Sequence, residues 1–120
     1  MQFKKTILVV DDNGSNRLLP GLILRPLGFT VLECASGREA IEVLSKVTVA
    51  GVLLDLAMPG LSGLEVLRVI RADPLHKHLR VIAYTYCLDS ADVAGLTAQG
   101  FDGVLLKPLK SINLLKIVAN

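Results

Sequence analysis

No run in the 120-residue chain approaches the ~18 uncharged apolar residues that a membrane-spanning helix needs. The opening residues, Met1-Gln2-Phe3-Lys4-Lys5, lead straight into a strand pattern and carry no secretory h-region or cleavage site, so a cytoplasmic location is expected. Charge of one sign is also scarce. A net charge of +2 is too small to argue for nucleic acid. The densest basic stretch, Arg68, Arg71, His76, Lys77, His78 and Arg80, reads as a solvated face and loop. His76 and His78 lack further cysteine or carboxylate ligands at metal-site spacing. The two cysteines, Cys34 and Cys87, are far apart and match no metal or redox motif, which leaves buried reduced thiols as the expectation. No linker, low-complexity tract or charged tail interrupts the chain. Residues 1–120 therefore read as one domain, large enough to bury roughly two-thirds of its unfolded surface.

What the chain does have is apolar residues, 52% against 20% charged. A parallel sheet covered on both faces explains that balance, because its strands read as continuous apolar runs. Strand and helix patterns alternate from end to end: strands over 6–11, 29–34, 49–55, 79–85 and 101–106, helices over 14–27, 37–47, 63–72, 90–99 and 110–119. Such alternation implies βαβ units and an α/β fold with helices on both faces of the sheet. Ser36 and Glu39 have the spacing of a capping box, and Ala40, Ile41, Leu44 and Val47 share one face of the helix that follows. Ser62 can cap the third helix, and Gly28 and Gly100 suit left-handed positions after a helix. The fourth helix has only a thin face of Ala91, Ala94, Gly95 and Ala98, so it is expected to bury little and to be the most mobile. The first helix breaks a rule: Pro20-Gly21 and Pro26 lie inside its pattern, which requires a late start near Arg17 or a kink at Pro20.

Polar residues stand where four apolar strands run out. Ile7-Leu8-Val9-Val10 ends in Asp11-Asp12, Val52-Leu53-Leu54 in Asp55, Val81-Ile82-Ala83-Tyr84 in Thr85, and Val104-Leu105-Leu106 in Lys107-Pro108. Parallel strands share one carboxyl edge, and ligands of open α/β sheets bind there. Three carboxylates, a hydroxyl and an ammonium are thereby gathered into one site. Like charges a few ångströms apart raise each other's pKa, so the three aspartates need a cation. Oxygen-only hard ligands suit Mg²⁺, which keeps several waters and leaves room for phosphate oxygens. An aspartate can attack phosphorus to give an aspartyl phosphate, and a threonine hydroxyl and a lysine ammonium are fitting partners for phosphoryl oxygens.

The sequence resembles a receiver domain of two-component response regulators over essentially its whole length. The motifs that carry the likeness are Leu8-Val9-Val10-Asp11-Asp12-Asn13, the segment Asp55-Leu56-Ala57-Met58-Pro59-Gly60-Leu61-Ser62-Gly63, Thr85, and Lys107-Pro108. Asn16-Arg17 after the aspartate pair is most similar to receivers attached to hybrid sensor kinases. The resemblance implies the flavodoxin-like strand order 2-1-3-4-5, for which receivers are themselves a standard example. It implies that Asp55 accepts a phosphoryl group from the phosphohistidine of a histidine kinase or phosphotransfer protein. It further implies that Asp12 binds Mg²⁺ directly and Asp11 mainly through water, with Asp55 and the backbone carbonyl of Ala57 completing the shell. Lys107 pairs with Asp55 and then with the phosphoryl group. Thr85 moves inward to meet the phosphoryl oxygen, and the face made by the fourth helix, last strand and last helix passes the shift to a partner. Such a domain is no multiple-turnover enzyme; it catalyses only its own aspartyl phosphorylation and dephosphorylation. No direct contact with nucleic acid or membrane is expected of it.

Two positions depart from the family pattern. Tyr86 stands where receivers place a small residue after the threonine; its ring either shields the acyl phosphate and narrows the donor's approach or points to solvent. Val104 stands where receivers often carry a rotating aromatic ring, which puts that part of the coupling in doubt. These departures keep a second reading open, a docking module of the same fold that is not phosphorylated. A haloacid-dehalogenase-like phosphatase needs a second acid two residues after its nucleophile, and here that position is Ala57. A flavin- or nucleotide-binding domain needs a Gly/Ser/Thr phosphate cradle after the first strand, and Asp11-Asp12 puts negative charge there instead. The chain either continues into an output or kinase domain or acts alone.

Overall fold

Five parallel strands, β1 (Thr6–Val10), β2 (Thr30–Cys34), β3 (Gly51–Asp55), β4 (Arg80–Thr85) and β5 (Gly103–Leu106), form one sheet in the order β2-β1-β3-β4-β5. The structure is a computed structural model and describes residues 5–86 and 89–119. The helices between and after the strands are α1 (Gly14–Leu24), α2 (Gly37–Leu44), α3 (Gly63–Ala72), α4 (Ser90–Gln99) and α5 (Ser111–Ala119).

Alternation along each strand sorts the core into two layers. Leu8, Val10, Val52, Leu54, Val81 and Ala83 pack with Ala40, Leu44, Val66, Leu67 and Ile70 of α2 and α3. The intervening residues Ile7, Val9, Leu53, Ile82, Tyr84 and Leu105 pack with Leu24 of α1 and Leu114 of α5. All of β3, from Gly51 to Asp55, is buried. The expected α/β fold, with helices on both faces and the order 2-1-3-4-5, is therefore the observed one.

The helix ends refine the sequence reading. Ser36 accepts from the Glu39 N–H, but the Glu39 carboxylate turns to the Ala35 N–H at 2.7 Å, so the expected box is only half made. Ser62 with Glu65 and Asp89 with Asp92 form the complete boxes. α2 stops at Leu44 rather than reaching Val47, which is left exposed. Gly28 and Gly100 do take left-handed φ values, 96° and 116°.

α1 does not start late: the Asn13 side chain accepts from the Asn16 N–H at 3.0 Å and starts it at Gly14, and it runs through Pro20 to Leu24. Pro26 falls in a separate 3₁₀ turn, Arg25–Leu27, which a proline at its start tolerates. In α4 no described residue is buried, as its small-residue face implies; Leu96 is its member packed against the α2/α3 layer. Arg71 of α3 ties down the far end of α4, donating to the Gly100 carbonyl at 2.9 Å, the Leu79 carbonyl at 2.5 Å and the Asp102 carboxylate at 3.0 Å. Cys34 is buried, its thiol pushed up to about 11 by burial and the neighbouring Glu39 charge; Cys87 lies outside the described residues.

Candidate phosphoacceptor site

β3 is the middle strand, so its last residue, Asp55, stands at the centre of the carboxyl edge. Asp11 and Asp12 follow β1 on one side of it, and Thr85 ends β4 on the other. One carboxylate oxygen from each of Asp11, Asp12 and Asp55 lies within 4.8 Å of the others. Asp11 and Asp55 are buried, while Asp12 is exposed and keeps the cluster open to water.

Backbone donors set the carboxylates. The Asn13 N–H donates to Asp11 Oδ1 at 2.9 Å and the Ala57 N–H to Asp55 Oδ1 at 3.4 Å. Arg17 donates to the Asp11 carbonyl at 2.9 Å, holding the β1–α1 loop against the sheet. Gly63 brings the start of α3 up against Asp55: a Cβ there would collide with the Asp55 carbonyl oxygen and sit 2.8 Å from Leu56 Cα. The glycine that closes the Asp55–Gly63 motif is thus required by backbone packing at the site.

Lys107, just past β5, supplies the internal cation. Its ammonium is 2.6 Å from Asp11 Oδ2 and 3.2 Å from Asp55 Oδ1, and its side chain is almost wholly buried. Burial by itself would lower the Lys107 pKa; the contact with Asp11 and the charges of Asp55 and Asp11 outweigh it and raise the pKa instead. Asp55 moves the other way from an ordinary aspartate, from 3.8 up to about 6, through burial first and the Asp11 charge second, with Lys107 opposing both. At 2.6 Å the Lys107 ammonium meets the buried Asp11 Oδ2 in a charge-assisted contact, the shorter of its two carboxylate contacts. Three carboxylates gathered within 4.8 Å, against one internal ammonium and with Asp12 open to water, fit a small hard divalent cation.

The remaining sequence candidates are placed less closely. The Thr85 carbonyl accepts the Lys107 N–H at 2.7 Å, which fixes the two residues side by side. No hydrogen bond among the described residues joins the Thr85 hydroxyl to the aspartates. Val104 pairs with Ala83 and packs on the α2/α3 layer. Tyr86 is 62% exposed, yet its ring lies 5.1 Å from Lys107 Nζ. It is therefore both a solvent-facing residue and a wall of the site.

Tyr84 was legible only as an apolar strand residue. It is fully buried, its ring 4.8 Å from Lys107 Nζ, and its hydroxyl donates to the Asn16 carbonyl at 3.2 Å. Burial and the charges of Asp11, Tyr86 and Asp55 hold its phenol up at about 12, so it stays protonated as a donor. The signal was Pro20: lacking an N–H, it cannot bond the carbonyl four residues back, which is that of Asn16, and something else must.

A family model described as the response regulator receiver domain matches residues 7–119. The chain belongs to the response regulator receiver family. Receiver domains of two kinds of protein are similar to it. The CAI-1 autoinducer sensor kinase/phosphatase CqsS of Vibrio cholerae is 32% identical over 117 residues, 97% of this chain and 17% of that protein. The DNA-binding response regulator MtrA of Mycobacterium tuberculosis is 33% identical over 112 residues, 93% of this chain and 48% of that protein. The receiver thus spans less than half the length of either. Among solved structures, the receiver domain of sensor histidine kinase PA1611 from Pseudomonas aeruginosa, with a magnesium ion in its active-site cleft, has a TM-score of 0.86 at 29% identity, covering 97% of this chain and 95% of that one. No helix among the described residues of this receiver is long and apolar enough to cross a membrane.

Proposed function

We propose that this receiver is phosphorylated on Asp55 by a phosphohistidine donor, a histidine kinase or a histidine phosphotransfer protein, and that the modification switches a protein-interaction face. The observation that carries the reading is the Asp55 carboxylate itself. It ends the central buried strand, shares Lys107 with Asp11, and lies within a carboxylate cluster whose Asp12 member is exposed to water. An Asp55 oxygen attacks phosphorus, the P–N bond to the donor imidazole breaks, and the freed imidazole nitrogen takes up a proton. Lys107, 3.2 Å from Asp55 Oδ1, lies beside the new acyl phosphate and neutralises its oxygens.

Asp11, Asp12, Asp55 and the backbone carbonyl of Ala57 would hold Mg²⁺, which would neutralise charge as the phosphoryl group approaches. The magnesium ion of the PA1611 receiver supports that assignment. Thr85 is the switch hydroxyl in this reading. The face of α4, β5 and α5 carries the output. A cytoplasmic location follows from a phosphohistidine donor.

Tyr86 favours a second reading, a docking module that is never phosphorylated, because its ring stands beside Lys107. Intact mass after incubation with acetyl phosphate and Mg²⁺, beside an Asp55→Asn control, decides between them. A gain of one phosphoryl mass, lost in the control, is expected. No gain there, and none from a phosphohistidine donor protein, would leave docking alone.

A further inference from the structure

One residue in the first turn of α1 engages both neighbours of Thr85. The Asn16 carbonyl, left without a partner by Pro20, accepts from the Tyr84 hydroxyl at 3.2 Å. The Asn16 side-chain amide donates to the Tyr86 hydroxyl at 3.3 Å. Topology determines what these bonds cross. α1 follows β1, the tyrosines sit at the end of β4, and β1 and β4 flank β3 on opposite sides. A bond between them therefore passes the carboxyl end of β3, where Asp55 stands. Lys107 sets the depth, with its ammonium 4.8 Å from the Tyr84 ring centre, 5.1 Å from that of Tyr86 and 3.2 Å from Asp55 Oδ1. Tyr84 forms the buried floor of this arrangement and Tyr86 its outer wall. A ring as exposed as Tyr86 gains little from burial, so the amide bond and the cation–π contact are what hold it.

We propose that Asn16 is a positioning residue: it holds the Tyr86 ring over the Lys107 side of the site, where the ring restricts water and small phosphoryl donors at Asp55. The proposal rests on Asp55 being the phosphoacceptor. Hydrolysis joins a water oxygen to phosphorus and breaks its bond to the Asp55 oxygen, leaving the carboxylate, inorganic phosphate and a proton. A ring pinned against Lys107 removes one approach for that water and leaves the exposed Asp12 side as the open one.

The test has two arms. In the first, phosphoryl loss is followed by intact mass after donor removal for Asn16→Ala, Tyr86→Phe, their double variant and Tyr86→Ala. Asn16→Ala and Tyr86→Phe delete the two ends of one bond. Each is expected to lose phosphate about fivefold faster, the equilibrium worth of one ordinary hydrogen bond, and the double variant no faster than either. Tyr86→Ala, which removes the ring, is expected to be faster still. An unchanged rate in Tyr86→Ala, or single effects that multiply in the double variant, overturns the proposal. The second arm needs no phosphorylation. The chain has no tryptophan and two tyrosines, so Tyr84→Phe leaves Tyr86 as the one tyrosine emitter. Adding Asn16→Ala to that background is expected to lower the emission anisotropy of Tyr86, and an unchanged anisotropy overturns the holding role. If no variant gains phosphate while the anisotropy falls, the phosphoacceptor reading has failed and the clasp itself stands.

Discussion

Replacing Asp55 by asparagine should stabilise the metal-free domain at neutral pH, although it deletes the residue on which the site is built. In the folded chain Asp55 titrates at about 6 instead of 3.8, because burial and Asp11 disfavour its charge more than Lys107 favours it. The stability tied to a raised acid is fully present below the unfolded value and is lost as pH rises through the folded one. At pH 7 the carboxylate is ionised in both states, and a shift from 3.8 to about 6 corresponds to a ceiling of about 3 kcal/mol. The exposed Asp12 side lets water screen the site, which brings the expected cost to about 2 kcal/mol. Asparagine keeps the shape and cannot ionise. Urea unfolding in the presence of a chelator should therefore show Asp55→Asn more stable than wild type by about 2 kcal/mol at pH 7, the gap shrinking between about pH 6 and pH 4. A variant less stable than wild type at pH 7, or a gap independent of pH, would refute the reasoning.

Lys107→Met should raise the Asp55 pKa further, since the charge that opposes burial and Asp11 is gone; carbon-detected carboxyl titration reads this directly, and an unchanged value would show that the ion pair is not formed in solution. Arg71→Ala should cost about 2 kcal/mol in urea unfolding, because three acceptors, just before β4, just before β5 and at the end of α4, lose their donor. Hydrogen exchange in that variant should accelerate in α4 before any other helix. Gly63→Ala should cost about 3 kcal/mol, as the methyl meets the Asp55 carbonyl and the backbone cannot yield cheaply; a variant as stable as wild type would mean that α3 can retreat from β3. Mg²⁺ should raise the melting temperature of wild type and lose that effect in Asp55→Asn, which differential scanning calorimetry checks.

Much of this was legible in the chain because strand ends are legible. Apolar runs that stop at Asp11, Asp55, Thr85 and Lys107 place those residues at one edge once the sheet is parallel, and alternation of strand and helix makes it parallel. Distances between side chains do not follow from such a pattern. That Lys107 lies closer to Asp11 than to Asp55 depends on side-chain packing beneath Tyr84, and no local rule reports that. The early start of α1 escapes the local pattern for a related reason: propensity disfavours Pro20 inside a helix, whereas the distant Tyr84 meets the Asn16 carbonyl that Pro20 leaves bare. Val47 was misplaced because helical periodicity continued past the point where α2 ends.

α4 is fastened at its two ends and barely in between. A complete capping box fixes its first turn, the Arg71 guanidinium grips its last carbonyl, and between them no described side chain is buried. A beam pinned in this way can roll about its long axis while both pins stay closed. Such a roll would exchange which small residues face water and, in either core layer, would disturb chiefly the contact that Leu96 makes with the α2/α3 side. The outer surface of the domain can thus be re-patterned at a free-energy scale far below that of unfolding.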